Sequence, residues 1–201
     1  MSSDFSISDK FLKKLDRQTQ ELIDRIGVDR KTLDEVFDRQ TLLRLSKLIS
    51  NDIIDHFDFP ISTGKEAIVF RAVTKNNEFV AIKIYRTSNL TFKHISRYIN
   101  GDPRFNLNNK SRRDVIYEWA KKEFKNLEIL KKINVRAPIP IKRMNNILIM
   151  QYIGDKNKPA LLLKDYMIDN PKKLFDEILR FISQMYNKGG IVQLKQLVQH
   201  Q

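Results

Sequence analysis

The sequence predicts an α+β fold: helices come first, short strands gather around one long helix, and helices follow again. Three observations carry that prediction. Residues 67–74 and 78–85 are β-like runs on either side of Lys75-Asn76-Asn77, which reads as a hairpin. Ser111, with Asp114 three residues on, opens a helix that runs to about Ile133. Apolar residues recur at helical spacing before the strands and again near the end of the chain.

In chain order, Phe11, Leu12, Leu15, Leu22, Ile23 and Ile26 predict an amphipathic helix over 8–26, ending near Gly27. A second helix starts at Asp38, whose carboxylate can cap free backbone N–H groups while Phe37 packs on Leu42 as a staple. Leu42, Leu45, Leu48 and Ile49 supply its buried stripe, and the stretch 57–60 breaks the pattern. After the hairpin, residues 86–110 are polar and irregular, a connection long enough to be functional or mobile. Pro138 and Pro140 stop the long helix, and 147–152 is a short apolar strand broken at Ile153-Gly154-Asp155. Residues 161–163 read as one helical turn, and 174–186 as an amphipathic helix ending at Gly189-Gly190.

Composition narrows the function classes. The chain has 201 residues, 41% of them hydrophobic and 30% charged, with 6 Gly and 6 Pro, which excludes a collagen-like or low-complexity polymer. At this size roughly 70% of the unfolded surface is buried on folding, enough for a real core. The absence of cysteine excludes disulfide scaffolds and thiolate metal sites, and three scattered histidines (His56, His94, His200) are too few for a histidine zinc site. The N-terminus lacks an apolar signal core, and no apolar run approaches the roughly 20 residues of a membrane span, so the expected protein is soluble, cytoplasmic and without a membrane partner. The formal charge is +13, and residues 83–143 alone carry a net +11. Such a field attracts nucleotide phosphates, RNA or acidic protein surfaces. By itself it is equally compatible with a solvated lysine-rich surface.

Two residues carry the sharper signal. In Val80-Ala81-Ile82-Lys83-Ile84-Tyr85, strand alternation places Ala81, Lys83 and Tyr85 on one face and the branched residues on the other. Lys83 therefore sits in a strand too apolar for an ordinary surface edge. On the long helix, Trp119, Glu123, Leu127 and Leu130 share a face, so Glu123 points inward whereas Glu118 and Glu128 do not. A buried carboxylate needs a cation, and an inward lysine needs an anion; Lys83 with Glu123 is the simplest pairing. Alone, this is also the signature of a structural ion pair. The turn Ser62-Thr63-Gly64-Lys65-Glu66-Ala67 tips the reading, because a hydroxyl-rich turn with one Gly and one Lys offers N–H groups and a cation to a phosphate chain. Neither a Walker loop nor the G-x-G-x-x-G of ordinary protein kinases is present. A phosphate-type turn, a hairpin, an A-x-K strand and a helix with an inward Glu, in that order, match a protein-kinase N-terminal lobe.

At this point the chain resembles a known family, the Rio atypical protein kinases, and most closely the Rio-one branch, from about residue 36 to 192. Val36 to Leu43 is similar to that branch's helical lead-in, and Ile61 to Ala67 to the family's substitute for a glycine-rich loop. Gly101-Asp102-Pro103-Arg104-Phe105 resembles its flexible loop, Lys122 to Leu127 its long helix, and Met150-Gln151-Tyr152-Ile153-Gly154 its hinge, where Glu is more usual than Gln151. The resemblance implies a kinase-like lobe at 58–150 with a flexible loop at 86–110, preceded by a helical extension at 1–57. A hinge and the start of an incomplete helical C-terminal lobe would follow at 151–201. It also implies ATP as ligand with Mg²⁺ or Mn²⁺. Lys83 would hold the α- and β-phosphates with Glu123 fixing its ammonium, and Ser62 and Lys65 would touch the phosphates. Val69 and Ala81 would cover the adenine, and the backbone of Gln151 and Ile153 would bond its edge. The family activity is serine phosphorylation or ATP hydrolysis during maturation of the small ribosomal subunit, which implies a pre-ribosomal or RNA-bearing partner.

The resemblance stops at Val192. Where the family continues into a catalytic loop of the form H-G-D-L-S-x-x-N, this sequence reads Gln193-Leu194-Lys195-Gln196-Leu197-Val198-Gln199-His200-Gln201. A catalytic Asp, a metal-binding Asn and a metal-binding Asp are therefore expected to be missing, through a premature stop, a frameshift, trimming or natural degeneration. The alternative to a kinase is a catalytically incomplete module that binds nucleotide, ribosomal RNA or an acidic protein surface.

Overall fold

The computed structural model describes Arg17, residues 38–87, Ile95 and residues 111–191. The remainder of the helix expected over 8–26, the Phe37 staple, most of the loop 86–110 and the tail beyond Ile191 lie outside the described residues.

Helix α1 (Arg39–Ser50) begins where Asp38 accepts a hydrogen bond from the Thr41 backbone N–H at 2.8 Å. Its apolar side, with Leu45 and Leu48 buried, lies against the sheet. The sheet has five antiparallel strands: β1 (His56–Thr63), β2 (Ala67–Val73), β3 (Phe79–Tyr85), β4 (Pro140–Met144) and β5 (Ile147–Gln151). Their order in space is β1-β2-β3-β5-β4, so β3 is central. The expected hairpin joins β2 and β3, with Ala67 opposite Tyr85 and Val73 opposite Phe79. Its turn closes through Thr74 N to Glu78 O at 2.9 Å, and Asn77 accepts the positive φ of 59° that asparagine tolerates.

Both edge strands contain proline: Pro60 in β1, and Pro140, which the sequence reads as a helix stop, in β4. Proline lacks a ladder donor, which an edge strand can spare. Pro60 falls between two register shifts in β1, and Pro140 opens β4 just before another.

The sheet is covered on both faces, which is why β2 is buried along its whole length and β3 nearly so. On one side Ile68, Phe70, Val80, Ile82, Ile84 and Ile149 pack with Leu45, Leu48 and Ile54. On the other, Val69, Ala81, Leu148 and Met150 meet Leu127 and Leu130 of helix α2 (Arg112–Lys132), together with Met185 and Ile191. Helix α2 starts with the expected capping box: the Ser111 side chain accepts from Asp114 N and the Asp114 carboxylate accepts from Ser111 N. After β5 come a short 3₁₀ turn (Leu163–Asp165) and helix α3 (Pro171–Gly189). Helix α3 starts three residues earlier than its apolar spacing predicts, because Asn170 caps Lys173 N and Pro171 suits the first helical position. It ends where Gly190 adopts φ 60°, with Ile191 N donating to Met185 O. Among the described residues no helix is long and apolar enough to cross a membrane.

Candidate functional site

The face of the sheet that carries α2 also carries Lys83. Residue alternation in β3 sends Val80, Ile82 and Ile84 into the α1 core and leaves Ala81, Lys83 and Tyr85 toward α2. In register, Lys83 lies between Val69 of β2 and Leu148 of β5. Its Nζ is 3.0 Å from both carboxylate oxygens of Glu123, and the two side chains are 6% and 3% exposed. The pairing expected from periodicity is therefore formed, symmetric and dry. A buried charge without a partner would cost several kcal/mol, on the order of 3–5, so each group holds the other in place.

A third member escaped the sequence reading. The Tyr85 hydroxyl donates to Glu123 Oε2, and the Lys83 ammonium lies 5.0 Å from the Tyr85 ring centroid. Burial, and then the negative charge of Glu123, push the Tyr85 phenol well above its ordinary pKa, so it remains a neutral donor. The signal was present, because Tyr85 shares a strand face with Lys83; only the length of the phenol reaching the next helix was not anticipated.

The turn after β1 is shaped from β3. Gly64 N donates to Ala67 O at 2.9 Å, Arg86 N to Glu66 O at 2.9 Å, and Arg86 Nε to Gly64 O at 3.1 Å. Ser62 belongs to the end of β1, opposite Val69, and both Ser62 and Lys65 face solvent. Val69 and Ala81 lie in the same apolar cluster on the Lys83 face. In register, Ser62 lies opposite Val69, and Val69 lies opposite Lys83.

Gln151 ends β5 and is exposed, as is Ile153. Two of their backbone groups are already used: Gln151 N donates to Ile139 O at 2.8 Å, and Ile153 O accepts from Ala160 N at 3.0 Å. The Gln151 side chain accepts from the Ile139 N–H at 3.3 Å. Asp155 then accepts from Asn157 N and Lys158 N, and those bonds hold its carboxyl below the usual range. Arg71, an arginine inside an apolar strand, bonds across to this turn through the backbone oxygens of Asp155 and Lys156. Sequence reasoning passed over it, although an arginine two residues from Val69 on the same strand face is a visible anomaly. Among the described residues no cluster of three or more His, Cys, Asp or Glu side chains could hold a metal ion.

A central strand lysine locked to a carboxylate on the helix packed behind a five-stranded antiparallel sheet defines the upper lobe of a protein-kinase fold. A family model described as the RIO domain matches residues 68–193, and the chain belongs to that family. It is 37% identical over 190 residues to the RIO-type serine/threonine-protein kinase Rio1 of Methanocaldococcus jannaschii, covering 92% of this chain and 65% of that one. It is 36% identical over 168 residues to the serine/threonine-protein kinase RIO1 of Homo sapiens, covering 82% of this chain and 30% of the human protein. The chain thus spans just under two thirds of the length of the archaeal relative. Among solved structures, a Rio2 kinase–ADP/Mg²⁺–phosphoaspartate complex from Chaetomium thermophilum shares the fold, with TM-score 0.55 at 19% identity over 72% of this chain and 40% of that one.

Proposed function

We propose that the chain is the ATP-binding part of a RIO-type serine/threonine kinase or ATPase, with Lys83 as the phosphate anchor. The observation that carries this reading is the buried Lys83–Glu123 pair at 3.0 Å. Lys83 presents a fixed ammonium to the α- and β-phosphates, and Glu123 keeps it from swinging away. Ser62, Lys65 and the N–H groups of the turn face the phosphate chain. Val69 and Ala81 provide the apolar cover for the base. The Gln151 carbonyl and the Ile153 N–H, one acceptor and one donor, suit the adenine edge. A divalent cation would arrive on the phosphates and screen their charge, since the described residues do not build a metal site of their own.

The test is isothermal titration of Mg-ATP into the 201-residue chain. Lys83→Ala weakens binding by about tenfold or more, the loss of a charge-assisted contact of roughly 1.5–3 kcal/mol. Unchanged affinity in that variant would overturn the site.

The concentration of positive charge in 83–143 favours a second, compatible role: contact with an RNA-bearing or acidic partner, in a cytoplasmic setting such as small-subunit ribosome maturation. If that contact were the sole function, RNA affinity would be insensitive to ATP and to Lys83→Ala.

A further inference from the structure

We infer that Arg71 is a positioning residue that orients the adenine-facing edge of the hinge, an inference that rests on the nucleotide reading above. Arg71 lies on β2 and is 6% exposed, surrounded by groups from four separate segments. Its Nε donates to Asp58 Oδ2 of β1 at 2.7 Å, and Nη2 bonds the same oxygen. Its Nη1 donates to Lys156 O at 2.6 Å and reaches Asp155 O at 3.4 Å. The guanidinium carbon stands 4.2 Å from the Phe59 ring centroid, 4.4 Å from that of Phe79 and 5.5 Å from that of Tyr152. Rings on three sides, a carboxylate on one edge and carbonyls on another leave the guanidinium a single orientation. A lysine in the same place could not match it, because one ammonium cannot bond in both directions within a plane.

What this clamp holds is a turn that is stiff in itself. Asp155 N donates to Lys158 O at 3.0 Å, Ala160 N to Ile153 O at 3.0 Å, and Gly154 bridges to Pro159. Gly154 has φ 153°, and a Cβ there would lie 2.6 Å from both Lys158 O and the Tyr152 hydroxyl. A stiff turn moves as a unit, so its attachment to the sheet decides where the residues leading into it point. Those residues are Gln151 and Ile153, which the proposed function sets against the base. Arg71 is the described side chain that ties the far side of the turn, at 155 and 156, back to β1 and β2. It touches none of the phosphate-facing groups. Its effect should therefore fall on recognition of the base and spare that of the phosphates.

The experiment compares binding of ATP and of inorganic tripolyphosphate to the 201-residue chain and its variants. Lys83→Ala weakens both ligands, because both present phosphates. Arg71→Met, which keeps the side-chain stem among the rings, raises the Kd for ATP by about tenfold and leaves that for tripolyphosphate within about twofold. Arg71→Lys behaves like Arg71→Met. Unchanged ATP affinity in a folded Arg71→Met, or parallel loss of both ligands, overturns the inference alone. A Lys83→Ala variant that binds ATP normally overturns the nucleotide reading and this inference with it. Should Arg71→Met not fold, amide exchange of the unaltered chain decides. The N–H groups of Asn157, Lys158 and Ala160 are then expected to be protected at least about a hundredfold, and exchange at unprotected rates overturns the clamp.

Discussion

Glu123 serves two donors at once, and the second, Tyr85, controls how firmly the first is held. Replacing Tyr85 by Phe removes the hydroxyl that bonds Glu123 Oε2 from a buried carboxylate that still accepts from Lys83. A hydrogen bond to a charged group in such a place is worth about 1.5–3 kcal/mol, so the urea midpoint of Tyr85→Phe should fall accordingly at neutral pH. The pH dependence is distinctive. Burial and the Glu123 charge raise the phenol pKa well above 10.0 in the folded chain. Above that value the unfolded chain releases the proton while the folded chain keeps it. The Tyr85 contribution is thus complete below about pH 10 and is lost as pH rises toward the folded value. Unfolding measured from pH 8 to 11 should show the wild type losing stability steeply above about pH 10, and Tyr85→Phe should follow a flatter curve. An equally steep decline in the variant would assign the alkaline loss to other groups. At this scale the sequence was legible where periodicity speaks: alternation set Lys83 inward, and the helical stripe set Glu123 inward. It showed Arg71 only as a charge in an apolar strand and not its partners, Asp58, 13 residues back, and Lys156, 85 residues on. No local pattern encodes so distant a bond.

Elements whose ends carry their own chemistry were the readable ones. The Ser111–Asp114 box, the Asp38 cap and the Gly190 stop each follow from one or two residues with a fixed conformational preference. Edge strand β4 was not readable, because a proline that forbids a central strand is permitted at an edge, and edge or centre is a property of the sheet. Asp38 shows how a cap becomes a joint between elements. Besides Thr41 N it accepts from the Thr87 hydroxyl at 3.0 Å, beyond the end of β3, and pairs with Arg113 of α2 at 3.2 Å. Its burial pushes the carboxyl up, yet the Thr41 and Thr87 hydrogen bonds and the Arg113 charge outweigh that and hold it below 3.8. The stabilisation is therefore present above the ordinary carboxylate range and disappears as pH falls through the lowered folded value. Asp38→Ala should cost about 1–2 kcal/mol at pH 7 by urea unfolding, and the difference from wild type should shrink in acid. A cost that is the same at pH 7 and in acid would mean that packing, not charge, carries the effect.

Charge is where the whole molecule adds to what any one element shows. The excess in 83–143 looked undirected in the sequence, but Lys131, Lys132, Arg136 and Lys142 are all exposed at the end of α2 and on β4, which pack on each other. They lie on the β4 edge of the sheet, away from the turn 62–67 that follows β1 at the opposite edge. Bland surface charge and a polyanion contact predict different salt behaviour. If the four cations each neutralise one phosphate of single-stranded RNA, the logarithmic salt slope is about −0.7 for each, or roughly −3 in all. Raising salt from 50 to 200 mM should then weaken binding about fiftyfold, well above what non-specific screening of a single contact gives. Reversing Lys131, Lys132 and Arg136 to Glu should abolish most of that slope, since each loss removes one released counterion. The same triple variant should bind ATP as the wild type does, because none of the three residues is among those set against the nucleotide. Loss of both activities together would show that the two surfaces are one. A slope near zero in the unaltered chain would leave the basic surface as a solvated face and the nucleotide site as the functional feature of this fold.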